Sequence, residues 1–289
     1  MQPLIDKMVW DYDLRKRVKK PMPWKWSYSK LEQWITCRYK MYREHVLLDV
    51  VKGKSDPFAI GSGVHDALEQ MVIDNAIGML RDTAHYVNIY RTSCFNNDDL
   101  ANPSKVDDFQ WMIGNYMSKS TNMPVPLKRE TPIKQGRNIS HYWTEFFGTL
   151  NWEDKYYGDK IELTVKGDVL TDKYENVDWK TGSGAYKPDV LSNPFAPKAL
   201  QLTLYAFWTY LEFGIIAPAK WILLRKDCKK ITPYEFTPTL EIFEGLDQHM
   251  NFHNAQFIQA LYDSSQMYRT GNGSTDPQCR WCNYKKMCR

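Results

Sequence analysis

Residues 166–182, KGDVLTDKYENVDWKTG, constrain the fold more than any other stretch of this 289-residue chain. Two runs rich in strand-forming residues flank the turn-rich TDKYE, the pattern of strands that fold back on each other. Side chains alternate along a strand, so Asp178 and Lys180 project from one face and Trp179 from the other. The turn near residues 172–176 can bring Asp168 alongside Asp178. Two carboxylates ~4 Å apart repel by about 4 kcal/mol at an effective dielectric near 20. A divalent cation removes that penalty, and oxygen donors suit Mg²⁺ or Mn²⁺. A lysine two residues beyond the second carboxylate can hold a water or neutralise charge on a phosphate. Such a site suits phosphodiester hydrolysis. An isolated D-x-K reads first as the wet face of a half-exposed strand, so the surrounding chain has to decide.

The surroundings predict a layered α/β chain. HYWTEFFGTLNW, KIELTVKGDVL and NVDWKTG form an antiparallel meander, and AKWILLRKD and KKITPYEF supply further strands. PKALQLTLYAFWTYLEFG has helical spacing and stops at Gly214, and a long helix covers about 238–268. Upstream, WSYSKLEQWITCRYKMYREHV reads as one helix, with Ser29 and Glu32 as a capping box and Leu31, Trp34, Ile35 and Tyr42 as its apolar stripe. Residues 52–57 read as a loop, and GSGVHDALEQMVIDNAI as a second helix with Gly61 and Gly63 at its mouth. Residues 1–26 form a charged arm without periodicity, 66–140 a mostly helical insertion with Pro-broken loops, and 141–236 the sheet and its helix. The expectation is a single domain: a mixed central sheet flanked by helices.

Composition narrows the partners. Hydrophobic residues at 43% and charged residues at 25% allow a real core and exclude a disordered tail. A net charge of +4 permits a nucleic-acid partner without demanding one. No apolar run approaches the roughly 20 residues of a membrane span, and the first 26 residues lack a signal-peptide core. A soluble cytoplasmic chain is expected, in a host's cytoplasm if the protein is viral. Disulfides are then unfavoured, and clustered cysteines point to metal ligation or catalysis. Of Cys37, Cys94, Cys228, Cys279, Cys282 and Cys288, three fall within the last eleven residues as C-x2-C-x5-C.

Several ordered motifs resemble the RecB-like branch of the PD-(D/E)xK nuclease superfamily, whose core is restriction-endonuclease-like. VDWKTG looks like that branch's hydrophobic-D-aromatic-K-T-G segment, which makes Asp178 a metal ligand and Lys180 the catalytic lysine. Asp168, after Gly167 on the preceding strand, takes the place of the first metal-binding aspartate. QLTLY resembles the Q-x-x-x-Y motif, with Gln201 and Tyr205 positioning substrate or lysine from one helix face. GSGVH resembles the G-x-x-x-H segment and makes His65 a further metal ligand. Glu69, one turn after His65, and Glu145 on the first strand are weaker acidic candidates. The proline of the superfamily's name is missing before Asp168, and residues 66–140 have no counterpart in the resemblance. His45, His85, His141, His249 and His253 have no motif support and read as structural or solvated.

The cysteines are similar to those of the branch's iron–sulfur members, the AddB nuclease domain and the CRISPR-associated RecB-like exonucleases. That resemblance implies a 4Fe–4S cluster held by Cys37, Cys279, Cys282 and Cys288, although Arg38 stands where a proline commonly follows the first cysteine. Four thiolates suit tetrahedral zinc as well, and spacing alone leaves both open. Either would staple the tail to the first helix. By analogy with disulfide loop closure, this is worth on the order of 5 kcal/mol. Cys94 and Cys228 read as free thiols.

Beside such a core, Arg280, Lys285, Lys286 and Arg289, and the run Arg15, Lys16, Arg17, Lys19 and Lys20, become candidate phosphate contacts rather than merely solvated faces. The resemblance implies an Mg²⁺- or Mn²⁺-dependent DNA exonuclease acting on single-stranded ends in replication, recombination or repair. No helicase P-loop is present, so unwinding would come from a partner helicase or recombination protein. Two other readings stay open: a nuclease-fold nucleic-acid-binding subunit, and a zinc-stapled interaction protein without activity.

Overall fold

In the computed structural model, residues 8–11, 16–19, 25–48, 56–97, 102–119, 123–135, 138–153, 155, 160–182, 192–226, 229–262 and 284 are described. In chain order the strands are β1 (Met8–Asp11), β2 (Lys16–Lys19), β3 (Trp26–Ser27), β4 (Lys128–Gln135), β5 (Asn138–Tyr142), β6 (Thr144–Glu153), β7 (Lys160–Leu170), β8 (Asn176–Gly182), β9 (Ala219–Arg225) and β10 (Lys230–Phe236). The helices are α1 (Tyr28–Thr36), α2 (Arg38–Met41), α3 (Asp56–Ala76), α4 (Thr83–Asn97), α5 (Pro103–Phe109), α6 (Trp111–Lys119), α7 (Pro197–Phe213) and α8 (Leu240–Tyr262). They gather into two compact units, one of Met1–Gly53, Thr149–Val165 and Leu240–Arg289, the other of Lys54–Gly148 and Lys166–Thr239.

The second unit carries the predicted sheet. The end of β7 pairs antiparallel with β8, placing Val169 opposite Val177 and Leu170 opposite Asn176. β6 also pairs with β7. β8 runs parallel to β9, and β10 returns antiparallel along β9. A parallel pair needs a crossover, which α7 supplies. That helix stops where the sequence says it should: Gly214 adopts φ +71°, and its N–H donates to the Tyr210 carbonyl at 2.8 Å. Asn176 Nδ2 donates to Thr209 Oγ1 at 2.8 Å, tying β8 to α7.

The alternating residues Val177 and Trp179 of β8 point into a core shared with Val64, Leu68, Tyr90 and Tyr116 from the helices. Burying a side chain of this size contributes roughly 1.5–3 kcal/mol, so this face fixes the register of β8. Gly63 lets α3 approach α4 at backbone distance. A Cβ there would lie 2.6 Å from Cys94 Sγ and 2.7 Å from the Tyr90 carbonyl oxygen.

In the first unit, β3 pairs parallel with β7, Trp26 facing Leu163. The Trp26 and Trp34 rings lie edge-on to Phe257 of α8 at 5.1 and 5.4 Å, and Trp26 Nε1 donates to Asn254 Oδ1 at 3.0 Å.

Five local expectations are corrected. α1 is capped by Ser27, whose hydroxyl accepts from the Lys30 N–H at 3.3 Å, and not by a Ser29–Glu32 box. The first helix is not continuous: it breaks at Cys37, which is extended (φ −157°, ψ 95°), and resumes as α2 and a π-helical turn over Tyr42–Val46. Helix α3 starts at Asp56, inside the expected loop, so Gly61 and Gly63 lie within it rather than at its mouth. Pro57 in its first turn was the missed start signal. The stretch 66–140 is helical as far as Lys119, but β4 and β5 then form an antiparallel ladder. Pro132 sits in β4, which is tolerated at an edge where the missing donor costs nothing. The N-terminal arm carries the β1–β2 pair, Met8 facing Lys19. No helix among the described residues is long and apolar enough to cross a membrane.

Candidate active site

The register that places Val169 opposite Val177 brings the two carboxylates together one step further along the ladder. Asp168 on β7 accepts at Oδ2 from the Trp179 backbone N–H at 2.7 Å. Its Oδ1 lies 3.2 Å from His65 Nδ1 on α3. Asp178 is almost fully buried, and its Oδ2 meets Lys180 Nζ at 2.5 Å. That oxygen is sealed from solvent. His65, Asp168, Asp178 and Lys180 therefore form two linked ion pairs carried by one helix and two adjacent strands. The Trp179 ring stands edge-on to His65 at 6.2 Å, and its Nε1 donates to Tyr116 Oη at 3.2 Å.

Electrostatics separates the two carboxylates. Burial alone would raise Asp168, but the His65 charge and hydrogen bond, Lys180 and the Trp179 N–H outweigh it and hold the carboxyl below its ordinary value. Burial pushes Asp178 up to about 6; Lys180 opposes the rise and the Asp168 charge adds to it. Burial would lower His65, yet the Asp168 charge and hydrogen bond leave the imidazole above its ordinary value.

A cavity of about 320 Å³ opens against this cluster, lined by Glu69, Glu145 and Lys166 as well as His65, Asp168 and Trp179. Both weak acidic candidates thus face the same space. Burial pushes Glu69 up to about 7; the Thr144 hydroxyl pulls the other way, and Glu145, Asp66 and Asp168 add to the rise. Glu145 adopts φ +43°, a left-handed conformation that a side chain rarely takes, and ion-pairs with Lys166. Strained backbone of this kind costs of order 1–3 kcal/mol and clusters at functional sites.

Gln201 and Tyr205 sit one turn apart on α7, as their spacing requires. Gln201 Nε2 donates to Tyr205 Oη at 2.6 Å, and Tyr205 Oη donates to the Lys166 carbonyl of β7. They clamp the strand two residues before Asp168. Gly167 in between cannot be larger, because a Cβ would lie 2.2 Å from Phe146 Cζ. Lys166, Tyr116 and the Trp179 backbone were not singled out in the sequence; only Lys166, alternating with Asp168 on β7, had a periodicity that pointed to it.

A family model for the PD-(D/E)XK nuclease superfamily matches residues 25–289. The chain belongs to the PD-(D/E)XK nuclease superfamily. Its fold is similar to the crystal structure of a "Putative exonuclease" from Eubacterium rectale, at 12% identity, a TM-score of 0.54, and coverage of 92% of this chain and 88% of that one. The crystal structure of SSO0001 covers 84% of this chain and 89% of its own at 13% identity, with a TM-score of 0.37 that is too low to bear on the argument. No curated protein matches the sequence.

PD-(D/E)XK nucleases use divalent metals such as Mg²⁺. The donor set here fits such an ion chemically: Asp168 and Asp178 offer hard oxygen donors from adjacent strands, and acidic groups crowd one another around Glu69. Among the described residues, no three His, Cys, Asp or Glu side chains already converge as a closed ligand set. His65 and Asp168 form one pair, and Asp178 and Lys180 the other.

Of the proposed cluster cysteines, Cys37 stands partly exposed at the α1–α2 break and forms no disulfide among the described residues. Cys279, Cys282 and Cys288 lie outside the described residues, as do Arg280, Lys285, Lys286, Arg289 and Cys228. Tyr284, between the second and third of the tail cysteines, is fully buried. Cys94 is buried in the helical core, which pushes its thiol up to about 11. His45 lies 3.1 Å from the Gln33 side chain, and His249 and His253 stack edge-to-face on α8 at 4.4 Å.

Proposed function

We propose that the chain is a metal-dependent DNA exonuclease that prefers single-stranded ends and serves replication, recombination or repair. The observation that carries this reading is the convergence of His65–Asp168 with Asp178–Lys180 from one helix and two neighbouring strands, beside a cavity, in a member of a nuclease superfamily. His65, Asp168 and Asp178 would hold Mg²⁺ or Mn²⁺, which when bound supplies a Lewis acid for the phosphate oxygens.

The chain's own groups do the rest. Lys180 is half-withdrawn from solvent and anchored by Asp178, so its ammonium meets negative charge that develops on the phosphorane in a medium that screens it weakly. Asp178 fixes where that ammonium stands. The Trp179 N–H and the Gln201–Tyr205 clamp fix β7 and therefore Asp168.

At the tail, Cys37 with Cys279, Cys282 and Cys288 would hold a 4Fe–4S cluster, with zinc the alternative metal for the same thiolates. Tyr284, which falls between Cys282 and Cys288 in sequence, is buried. Digestion of 5′- and 3′-labelled single and double strands, with Mg²⁺ or Mn²⁺, tests the activity. The expected result is stepwise shortening of single strands that Asp178→Ala abolishes; wild-type protein that leaves every strand intact contradicts it.

A further inference from the structure

Phe58 buries little of its ring where it stands. It lies in the first turns of α3 and is 71% exposed, forgoing the burial that a large apolar ring normally finds. Yet it lines the cavity of the candidate active site. The α3 residues that wall that cavity are Phe58, Gly61, Ser62, His65, Asp66 and Glu69, spaced i, i+3, i+4, i+7, i+8 and i+11, which is a single helix face. At 1.5 Å per residue, Phe58 stands about 10 Å along the axis from His65, the reach of a nucleotide or two.

The two residues between them are small. Around Gly61, the nearest atom to a built Cβ is Thr181 Oγ1 at 3.4 Å, an ordinary contact distance, so the floor is low from the aromatic end to the carboxylate end. Lys166 lines the same cavity and holds its ammonium 5.5 Å from the ring of Phe147, itself 48% exposed. An aromatic ring, two small residues and the Lys166–Glu145 ion pair line one cavity together with His65 and Asp168.

We propose that Phe58 is a stacking platform for an unpaired base of the strand whose phosphate lies at His65 and Asp168, and that it selects single-stranded over paired ends. The inference rests on the nuclease reading above and names the substrate feature that the site selects. Every base has a π-face, so the contact is indifferent to sequence. A base inside a duplex would first have to leave its own stack.

The test uses the whole chain and oligodeoxythymidylates carrying 2-aminopurine, whose fluorescence falls on stacking, at successive positions from each end. Binding is read in Ca²⁺ and cleavage in Mn²⁺, for wild type, Phe58→Ala and Phe58→Trp. Expected are quenching at one or two positions beside the cleaved bond in wild type and Phe58→Trp but not in Phe58→Ala, and about tenfold weaker single-strand binding by Phe58→Ala. An abasic nucleotide at the quenched position should make wild type behave like Phe58→Ala. Equal quenching by Phe58→Ala, a further loss of the same size when Phe58→Ala replaces wild type on the abasic strand, or no single-strand binding by wild type overturns the inference. Wild type that binds and stacks but does not cleave counts against the nuclease reading alone.

Discussion

Asp178 and Lys180 face each other at 2.5 Å in a place where a lone carboxylate would be costly, so neither residue is dispensable to the other. The same physics acts elsewhere at residue scale, with the opposite sign for stability. Burial pushes His249 down to about 4; His253 falls to about 3, again through burial first, with the His249 and Arg38 charges adding. Both folded values lie below the unfolded one, so as pH falls the unfolded chain takes up protons first. Stability is whole above about pH 6.5 and is lost from there down to the folded values. Thermal unfolding measured from pH 7 to pH 4.5 should therefore show a loss of about 2–4 kcal/mol by pH 5. In the His249→Gln/His253→Gln double variant that acid limb should be shallower; an unchanged limb would show that the pair does not titrate as its burial requires. Glu69 pushed up to about 7 and Glu145 in a left-handed conformation are the residue-scale features that sequence left weakest. Neither backbone strain nor mutual carboxylate crowding leaves a pattern in spacing.

At the scale of elements, the sheet was legible because strand alternation and burial agree. Val169 and Val177 face the helices, which turns Asp168 and Asp178 the other way, and Gly214 marks the end of α7 in sequence and structure alike. The break at Cys37 was not legible, since the apolar stripe of Leu31, Trp34 and Tyr42 continues across it and only the backbone departs. Strands β4 and β5 were hidden by prolines and charges that a two-stranded edge tolerates and a central strand would not. The helical part of 66–140, without a counterpart in the resemblance, supplies Tyr116 to the Trp179 indole and the α4 surface against which Gly63 packs. Gly63→Ala places a methyl against the Tyr90 backbone, which cannot swing aside. It should destabilise the protein by about 1–3 kcal/mol in denaturant titration, and a variant as stable as wild type would mean that α3 and α4 do not approach so closely.

At the scale of the whole molecule, the two ideas about metal are separable. His65, Asp168, Asp178 and Lys180 belong to the unit of Lys54–Gly148 and Lys166–Thr239, whereas Cys37 belongs to the other. Anaerobically purified protein should be brown and absorb near ~400 nm, and Cys37→Ala should lose that colour together with thermal stability. Colourless protein with stoichiometric zinc would reassign the cysteines without touching the hydrolytic site. The central claim is met most directly by one comparison: Mn²⁺-dependent release of nucleotides from end-labelled single-stranded DNA by wild type and Lys180→Ala, matched by circular dichroism. The variant should be at least about a hundredfold slower at unchanged fold; a Lys180→Ala protein that degrades the strand at the wild-type rate would show that the lysine does not drive cleavage.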